Sequence, residues 1–244
     1  MKKLDIAVLL SFTAGFVDTA SFLGLEGLFT AHVTGNFVTL GATLVYGTHG
    51  VLAKLLALPE FVLVVALTRL AGAALAAHRM PALRLLLAGE VAFLLAFFML
   101  AAALGPFPNS DTPAALLTGF AGVAAMAMQN ALHRIHLAGL PPTTIMTGNT
   151  TQAALDAIDL LRGAGPTAII RGRFGRTLGG ILYFAAGCAV AAVLYSWIGL
   201  WSLAVPVVVG LASIVVSAEG GNPEAGPGSK STGQGTANEL AFTP

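Results

Sequence analysis

Long runs of apolar residues alternate with short polar breaks along most of the chain. Six runs are long enough to cross about 30 Å of hydrocarbon, which takes about 20 helical residues. They cover roughly residues 4–25, 56–78, 82–104, 113–133, 172–197 and 200–217. Two further stretches, 35–47 and 148–161, have helical character but reach little more than halfway across at about 1.5 Å per residue. The pattern predicts an all-α polytopic membrane protein with six transmembrane helices and two half-helices.

The distribution of lysine and arginine bears on whether the half-helices cross the membrane. If they do not cross and the N-terminus is cytoplasmic, ten of these residues fall inside, only Lys54 falls outside, and Arg69 lies within a span. If all eight segments cross, eight fall inside and three outside. Because cytoplasmic loops carry the excess of lysine and arginine, the sequence favours six crossings with both termini in the cytoplasm.

Each half of the chain then reads as a long span, a half-helix and two further long spans. Because each half crosses the membrane three times, the second half has the opposite orientation, and the two halves form an inverted repeat. Equivalent residues recur at a nearly constant distance along the chain. Asp18 and Asn130 are 112 positions apart, and the Thr-Gly-Asn motif at residues 34–36 recurs 113 positions later at residues 147–149.

Composition and charge agree with a membrane protein. The chain is 56 % hydrophobic and 9 % charged, whereas soluble domains carry about 25 % charged residues. A net charge of +1 argues against a nucleic-acid partner, and the single cysteine, Cys188, lies in no metal-binding pattern. We expect one transmembrane domain over residues 1–217, with repeats of about 4–105 and 112–217. The Gly-, Ser- and Pro-rich residues 218–244 should form a disordered tail.

The Thr-Gly-Asn motif begins each half-helix and is expected to lie near the membrane centre. Non-helical backbone survives at that depth only where protein or a water-filled cavity surrounds it. The threonine hydroxyl can cap free N–H groups, and the asparagine amide can bind unpaired carbonyls or a passing solute. Two interpretations stay open, since the motif either only caps the half-helices or also lines a solute site. The second is favoured, with Asn36 and Asn149 meeting near the membrane centre.

Other polar residues lie in or near the spans, where a central charge costs about 3 kcal/mol. Such residues face the protein interior and usually pair, so Asp18 or Glu90 is expected to form an ion pair with Arg69. The alternative to a role in solute binding is that this pair only holds helices together. His32, beside the first motif, is at most a modulator. The candidate substrate-binding residues are Asp18, Thr34, Gly35, Asn36, Arg69, Glu90, Gln129, Asn130, Thr147, Gly148 and Asn149.

Four stretches of the sequence carry a family resemblance, namely AGFVDTASFL, HVTGNFVTLG, MAMQNA and TTIMTGNTTQ. With these stretches the chain resembles the YoaK-like family, which comprises multi-span proteins of the bacterial inner membrane with no established function. The resemblance covers about residues 5–215. It implies a fold and an inner-membrane location, but it implies no activity.

A transporter or channel for a small polar solute is the favoured function, because inverted repeats with half-helices recur in transporters. The alternative is a non-transporting scaffold or assembly protein whose central polar residues are structural. An intramembrane enzyme is not favoured, because the sequence contains no catalytic motif. The expected partners are the lipid bilayer and the solute, and a homo-oligomer is compatible with the sequence. We expect no metal, no cofactor and no catalytic residue.

Overall fold

The structure is a computed structural model that describes residues 2–218, and in this range it contains helices and no strand. The α-helices are α1 (Lys2–Gly24), α2 (Asn36–Tyr46), α3 (Val51–Ala77), α4 (Ala82–Leu104), α5 (Pro113–His136), α6 (Met146–Arg162), α7 (Thr167–Ile198) and α8 (Ala204–Ala218). Short 3-10 helices precede α2 (Val33–Gly35) and join α7 to α8 (Gly199–Leu203). The disordered tail expected over residues 218–244 lies outside the described residues, apart from Ala218.

Within residues 2–218, five helical runs are long and apolar enough to cross a membrane. Four of them are α1, α3, α4 and α5, and the fifth, Thr167–Ala218, contains both α7 and α8. The sequence predicted two separate spans where the structure has this one run. The reason is that α8 has only 15 residues and that a five-residue 3-10 helix connects it to α7. Long apolar helices in this number indicate a multi-pass membrane protein.

Helices of the first half pack on helices of the second half in a regular way. In chain order α1–α4 correspond to α5–α8. In the first pair of equivalent contacts, α1 packs on α7 and α5 packs on α3. In the second pair, α4 packs on α5 and α8 packs on α1. The short helices follow the same rule, because α2 packs on α3 and α6 packs on α7. Exchanging the two halves therefore maps these helix contacts onto one another.

Glycines allow α1 and α7 to approach closely. A Cβ atom on Gly15 would lie 2.1 Å from the carbonyl oxygen of Phe184, and one on Gly187 would lie 2.2 Å from that of Phe12. Small residues at such crossings let helix backbones meet inside a membrane. The crossing therefore ties the first helix of one half to the third helix of the other.

A distant carboxylate caps the N-terminus of α3. Asp111 accepts hydrogen bonds of 2.8 to 3.2 Å from the backbone N–H groups of Gly50, Val51, Leu52 and Ala53. Burial opposes ionisation of this carboxyl, but the four donors outweigh it and hold the pKa of Asp111 below its ordinary value. Hydropathy predicted that this span begins near residue 56, whereas α3 begins at Val51. The cap by Asp111 accounts for the earlier start.

Replacing Asp111 by asparagine should lower the free energy of unfolding by about 1 kcal/mol at neutral pH, because the amide has one acceptor oxygen instead of two and no longer places a negative charge at the start of α3. The folded-state pKa lies below that of the unfolded chain, about 3.9. The charge-dependent stabilisation is therefore fully present above that pH and is lost as the pH falls through the folded-state pKa. Thermal unfolding in detergent should show a difference between wild type and variant that shrinks as the pH falls below about 3.9. A difference that stays constant into acid would contradict a role for the charge.

Candidate functional site

A cavity of about 600 Å³ lies between the two Thr-Gly-Asn segments. Residues 31–34 of the first half and residues 144–147 of the second half both line it. Helices α3 and α5 complete the wall, with Leu58, Phe61, Val65 and Arg69 from α3 and Asn130, Ala131, Arg134 and Ile135 from α5. Small-molecule sites commonly have volumes of about 300 to 1,000 Å³. The cavity is therefore large enough for a small solute.

The candidate residues divide into two groups around this cavity. Four of them line it, namely Thr34, Arg69, Asn130 and Thr147. Seven do not, namely Asp18, Gly35, Asn36, Glu90, Gln129, Gly148 and Asn149. Arg134 and His32 line the cavity although the sequence did not assign them to the site. Helical spacing could have found Arg134, because it follows Asn130 by four residues and therefore shares its helix face.

Asp18 holds the segment that leads into the first short helix. Its Oδ1 atom accepts backbone hydrogen bonds from Thr30 and Ala31 at 2.8 Å each and from His32 at 3.4 Å. Its Oδ2 atom lies 2.6 Å from Nδ1 of His32. The residue is 4 % exposed. Charge-assisted hydrogen bonds of this kind are stronger than neutral ones, so Asp18 fixes this wall of the cavity.

The expected ion pair of Arg69 with Asp18 or Glu90 is wrong for the part of the chain that the structure describes. Asp18 pairs with His32 instead. Glu90 is buried in α4, and neither of its carboxyl oxygens has a hydrogen-bond partner among residues 2–218. The reason is positional, because Arg69 lies at the cavity, which neither carboxylate lines.

The second half holds its corresponding segment with neutral side chains. Asn130, the counterpart of Asp18, accepts a hydrogen bond of 2.6 Å from the hydroxyl of Thr144. Gln129 donates to the hydroxyl of Thr143 at 3.0 Å and to the carbonyl oxygen of Leu10 at 2.9 Å. In each half, polar residues of a long helix thus bind the chain just before the short helix.

The asparagines of the two motifs make the same contact with their own segments. Asn36 donates from Nδ2 to the carbonyl oxygen of Phe29 at 2.8 Å, and Asn149 donates to that of Pro142 at 2.7 Å. Each acceptor lies seven residues earlier. Asn36 also accepts the N–H of Phe29 at 2.8 Å, a bond that Pro142 cannot make because proline has no N–H. Both amides thus stabilise the backbone of the segment that precedes them. That Asn36 and Asn149 lie close to one another stays a prediction.

The threonines of the motifs do not cap the short helices by their side chains. Neither α2 nor α6 has a side-chain hydrogen bond at its N-cap, which is Gly35 in α2 and Ile145 in α6. Thr34 and Thr147 line the cavity instead. The threonines therefore face the space between the halves instead of capping the helices, and the asparagines bind backbone carbonyls, which is one of the two roles expected for them.

Replacing Asn36 by alanine should destabilise the protein more than replacing Asn149. At about 1 kcal/mol per hydrogen bond, the first variant should lose about 2 kcal/mol and the second about 1 kcal/mol. The difference arises because Asn36 makes two bonds to the backbone of Phe29, whereas Asn149 makes one to that of Pro142 and a weak contact of 3.7 Å to the sulfur of Met146. Thermal midpoints of the purified variants in one detergent would measure it. Equal losses, or a larger loss for the Asn149 variant, would contradict this account.

Comparison with known proteins identifies the family. The model of a family described as a protein of unknown function, DUF1275, matches residues 6–216. No curated protein and no solved structure matches the chain. The matched range includes both Thr-Gly-Asn segments and every residue that lines the cavity. The chain therefore belongs to the DUF1275 family, whose function is not known.

Proposed function

We propose that the protein moves a small polar solute across the membrane through the cavity between residues 31–34 and residues 144–147. One observation carries the proposal, namely that two segments more than a hundred residues apart, each at the start of a short helix, line the same cavity. Irregular backbone at membrane depth is tolerated where it lines a cavity, and interrupted helices meeting at a shared site recur in transporters. The proposal gives the protein a transport role and no enzymatic activity.

The membrane topology proposed with this function has six crossings, with α7 and α8 crossing separately and α2 and α6 entering without crossing. The exchange of helix contacts between the halves supports an inverted repeat. The ten-to-one division of lysine and arginine supports cytoplasmic termini. The resemblance to YoaK-like proteins supports the bacterial inner membrane.

Cysteine labelling in intact cells tests this topology. In a variant whose Cys188 is replaced by alanine, Thr48→Cys in the exposed α2–α3 turn should react with a membrane-impermeant maleimide. Gly139→Cys, in the exposed α5–α6 connection, should react only after permeabilisation. Protection of the cysteine at position 48 would mean that α2 crosses, and the inverted repeat would then be wrong.

A scaffold or assembly protein is the second candidate function. It is favoured by the structural use of Asp18, Asn36, Gln129 and Asn149, which all bind the protein's own chain. A scaffold has no need of the cavity at the junction of the two halves. Solute binding in that cavity therefore distinguishes the two functions.

Blocking the cavity provides the test of transport. Small metabolites of positive, negative and zero charge are screened for thermal stabilisation of the purified full-length chain, which should reach about 2.7 kcal/mol at a hundredfold excess over Kd. Stabilisation should vanish when Thr147→Cys, at the cavity wall, is modified with a bulky thiol reagent. Thr151→Cys is the matched control, because it is exposed one turn further along α6 and does not line the cavity.

Two results would count against the transport role. One is that no solute of any charge stabilises the chain. The other is that modification at position 151 removes stabilisation as completely as modification at position 147.

A further inference from the structure

We infer that the cavity between the two Thr-Gly-Asn segments binds a soluble organic anion, whose charged group contacts Arg69 and Arg134 and whose apolar part fills the rest of the space. The inference rests on the proposed function, because it names the solute class of the same cavity.

The charged side chains that line the cavity are cationic. Arg69 comes from α3 and Arg134 from α5, and no aspartate or glutamate is among the lining residues. Neither arginine forms an ion pair in the described part of the chain. Arginines inside membrane proteins usually pair or face a water-filled cavity. The guanidinium group also matches carboxylate and phosphate in geometry as well as in charge.

The carboxylate of Asp18, which contacts the lining residue His32, is already bound by other groups. Its two oxygens bind His32 and the backbone of residues 30–32. Asp18 does not itself line the cavity. An anion bound in the cavity would therefore meet two arginines and no carboxylate in direct contact.

The start of α6 adds partial positive charge to the same space. Ile145, Met146 and Thr147 line the cavity, and no side chain caps this helix. The first N–H groups of an α-helix have no partner within the helix, and the helix dipole favours an anion there. This feature supports the two arginines and would not define a site without them.

The rest of the wall is apolar. Leu58, Phe61 and Val65 of α3 and Ile135 of α5 line the cavity together with Ile145 and Met146. A strongly hydrated inorganic ion would gain nothing from these side chains, whereas a hydrocarbon or aromatic group gains about 25 cal/mol for each Å² that it buries. The combination selects an anionic group attached to an apolar body.

The experiment measures binding of matched probes to the full-length protein in a non-ionic detergent. Benzoate and phenyl phosphate are the anionic probes, and benzamide and benzylammonium are their neutral and cationic counterparts. At least one anionic probe should raise the thermal midpoint and bind at least tenfold more tightly than either counterpart. Arg69→Gln and Arg134→Gln should each weaken that binding at least tenfold, while Arg69→Lys should recover part of it.

Arg176→Gln is the matched control, because Arg176 does not line the cavity. It corresponds to Arg69 in the second half, since Pro59, Arg69 and Gly72 recur 107 positions later as Pro166, Arg176 and Gly179. The variant should change binding less than twofold. An equal loss in the Arg176 variant would overturn the assignment of the arginines at the cavity. If phosphatidylglycerol in mixed micelles displaced the bound probe stoichiometrically, the ligand would be a lipid headgroup and the assignment of a soluble anion would be wrong.

The outcomes separate this inference from the transport proposal. If benzamide or benzylammonium bound as tightly as the anions and lost binding when position 147 was blocked, the anion assignment would be wrong and the solute cavity would stand. If no probe and no screened metabolite of any charge bound, the solute cavity and the anion assignment would both be wrong.

Discussion

Replacing Gly187 by alanine is expected to prevent folding or to cost more than about 4 kcal/mol, an exceptional loss for one methyl group. The added Cβ would lie 2.2 Å from the carbonyl oxygen of Phe12 and 3.0 Å from the backbone nitrogen of Phe16. Backbone atoms cannot rotate away as a side chain can, so α1 and α7 would have to separate along their crossing. The yield of monodisperse protein on size-exclusion chromatography and the thermal midpoint in detergent would measure the effect.

Gly179→Ala is the matched control for this prediction. Gly179 lies two turns earlier on α7, and a Cβ there would meet nothing within 4 Å. Because alanine is favoured over glycine inside a helix by about 1 kcal/mol, this variant should be as stable as the wild type or slightly more so. If the two variants unfolded alike, the α1–α7 crossing would not depend on a close backbone approach.

Asp18→Ala is expected to cost about 3 to 5 kcal/mol, because each buried donor left without its acceptor costs about 1 to 3 kcal/mol and Asp18 accepts from three backbone N–H groups. The substitution leaves the backbone N–H groups of residues 30–32 without their acceptor and removes the partner of His32. Asp18→Asn should lose less, because an amide oxygen still accepts hydrogen bonds and asparagine serves at the equivalent position, Asn130. Thermal midpoints of the two variants would give the comparison.

Asp5→Ala serves as the control, because Asp5 lies exposed in the first turn of the same helix. Its loss should cost about 0.5 kcal/mol through the helix dipole. The anchor assigned to Asp18 would be wrong if Asp18→Ala were no less stable than Asp5→Ala. Since residues 31–34 line the cavity, Asp18→Ala should also weaken the binding of any solute that the wild type binds.

The amino-acid sequence by itself determined where most long helices lie. The predicted span 82–104 agrees with α4 at both ends, because an apolar run is flanked there by Pro81 and Gly105. The two short helices were also predictable, since each begins at a Thr-Gly-Asn motif and ends at a glycine in the left-handed conformation, Gly47 or Gly163. These features depend on residues close together in the chain, which is what hydropathy and turn residues report.

Tertiary structure alone decided which polar side chain meets which partner. Asn36 and Asn149 brace backbone carbonyls, while Arg134 reaches the cavity that the sequence had assigned to them. The start of α3 likewise depends on Asp111, about 60 residues away in the chain. Hydrogen bonds and ion pairs form between groups within about 3 Å in space. Helical periodicity specifies the face of a helix but not the neighbour opposite that face, so these partners became visible only in the folded structure.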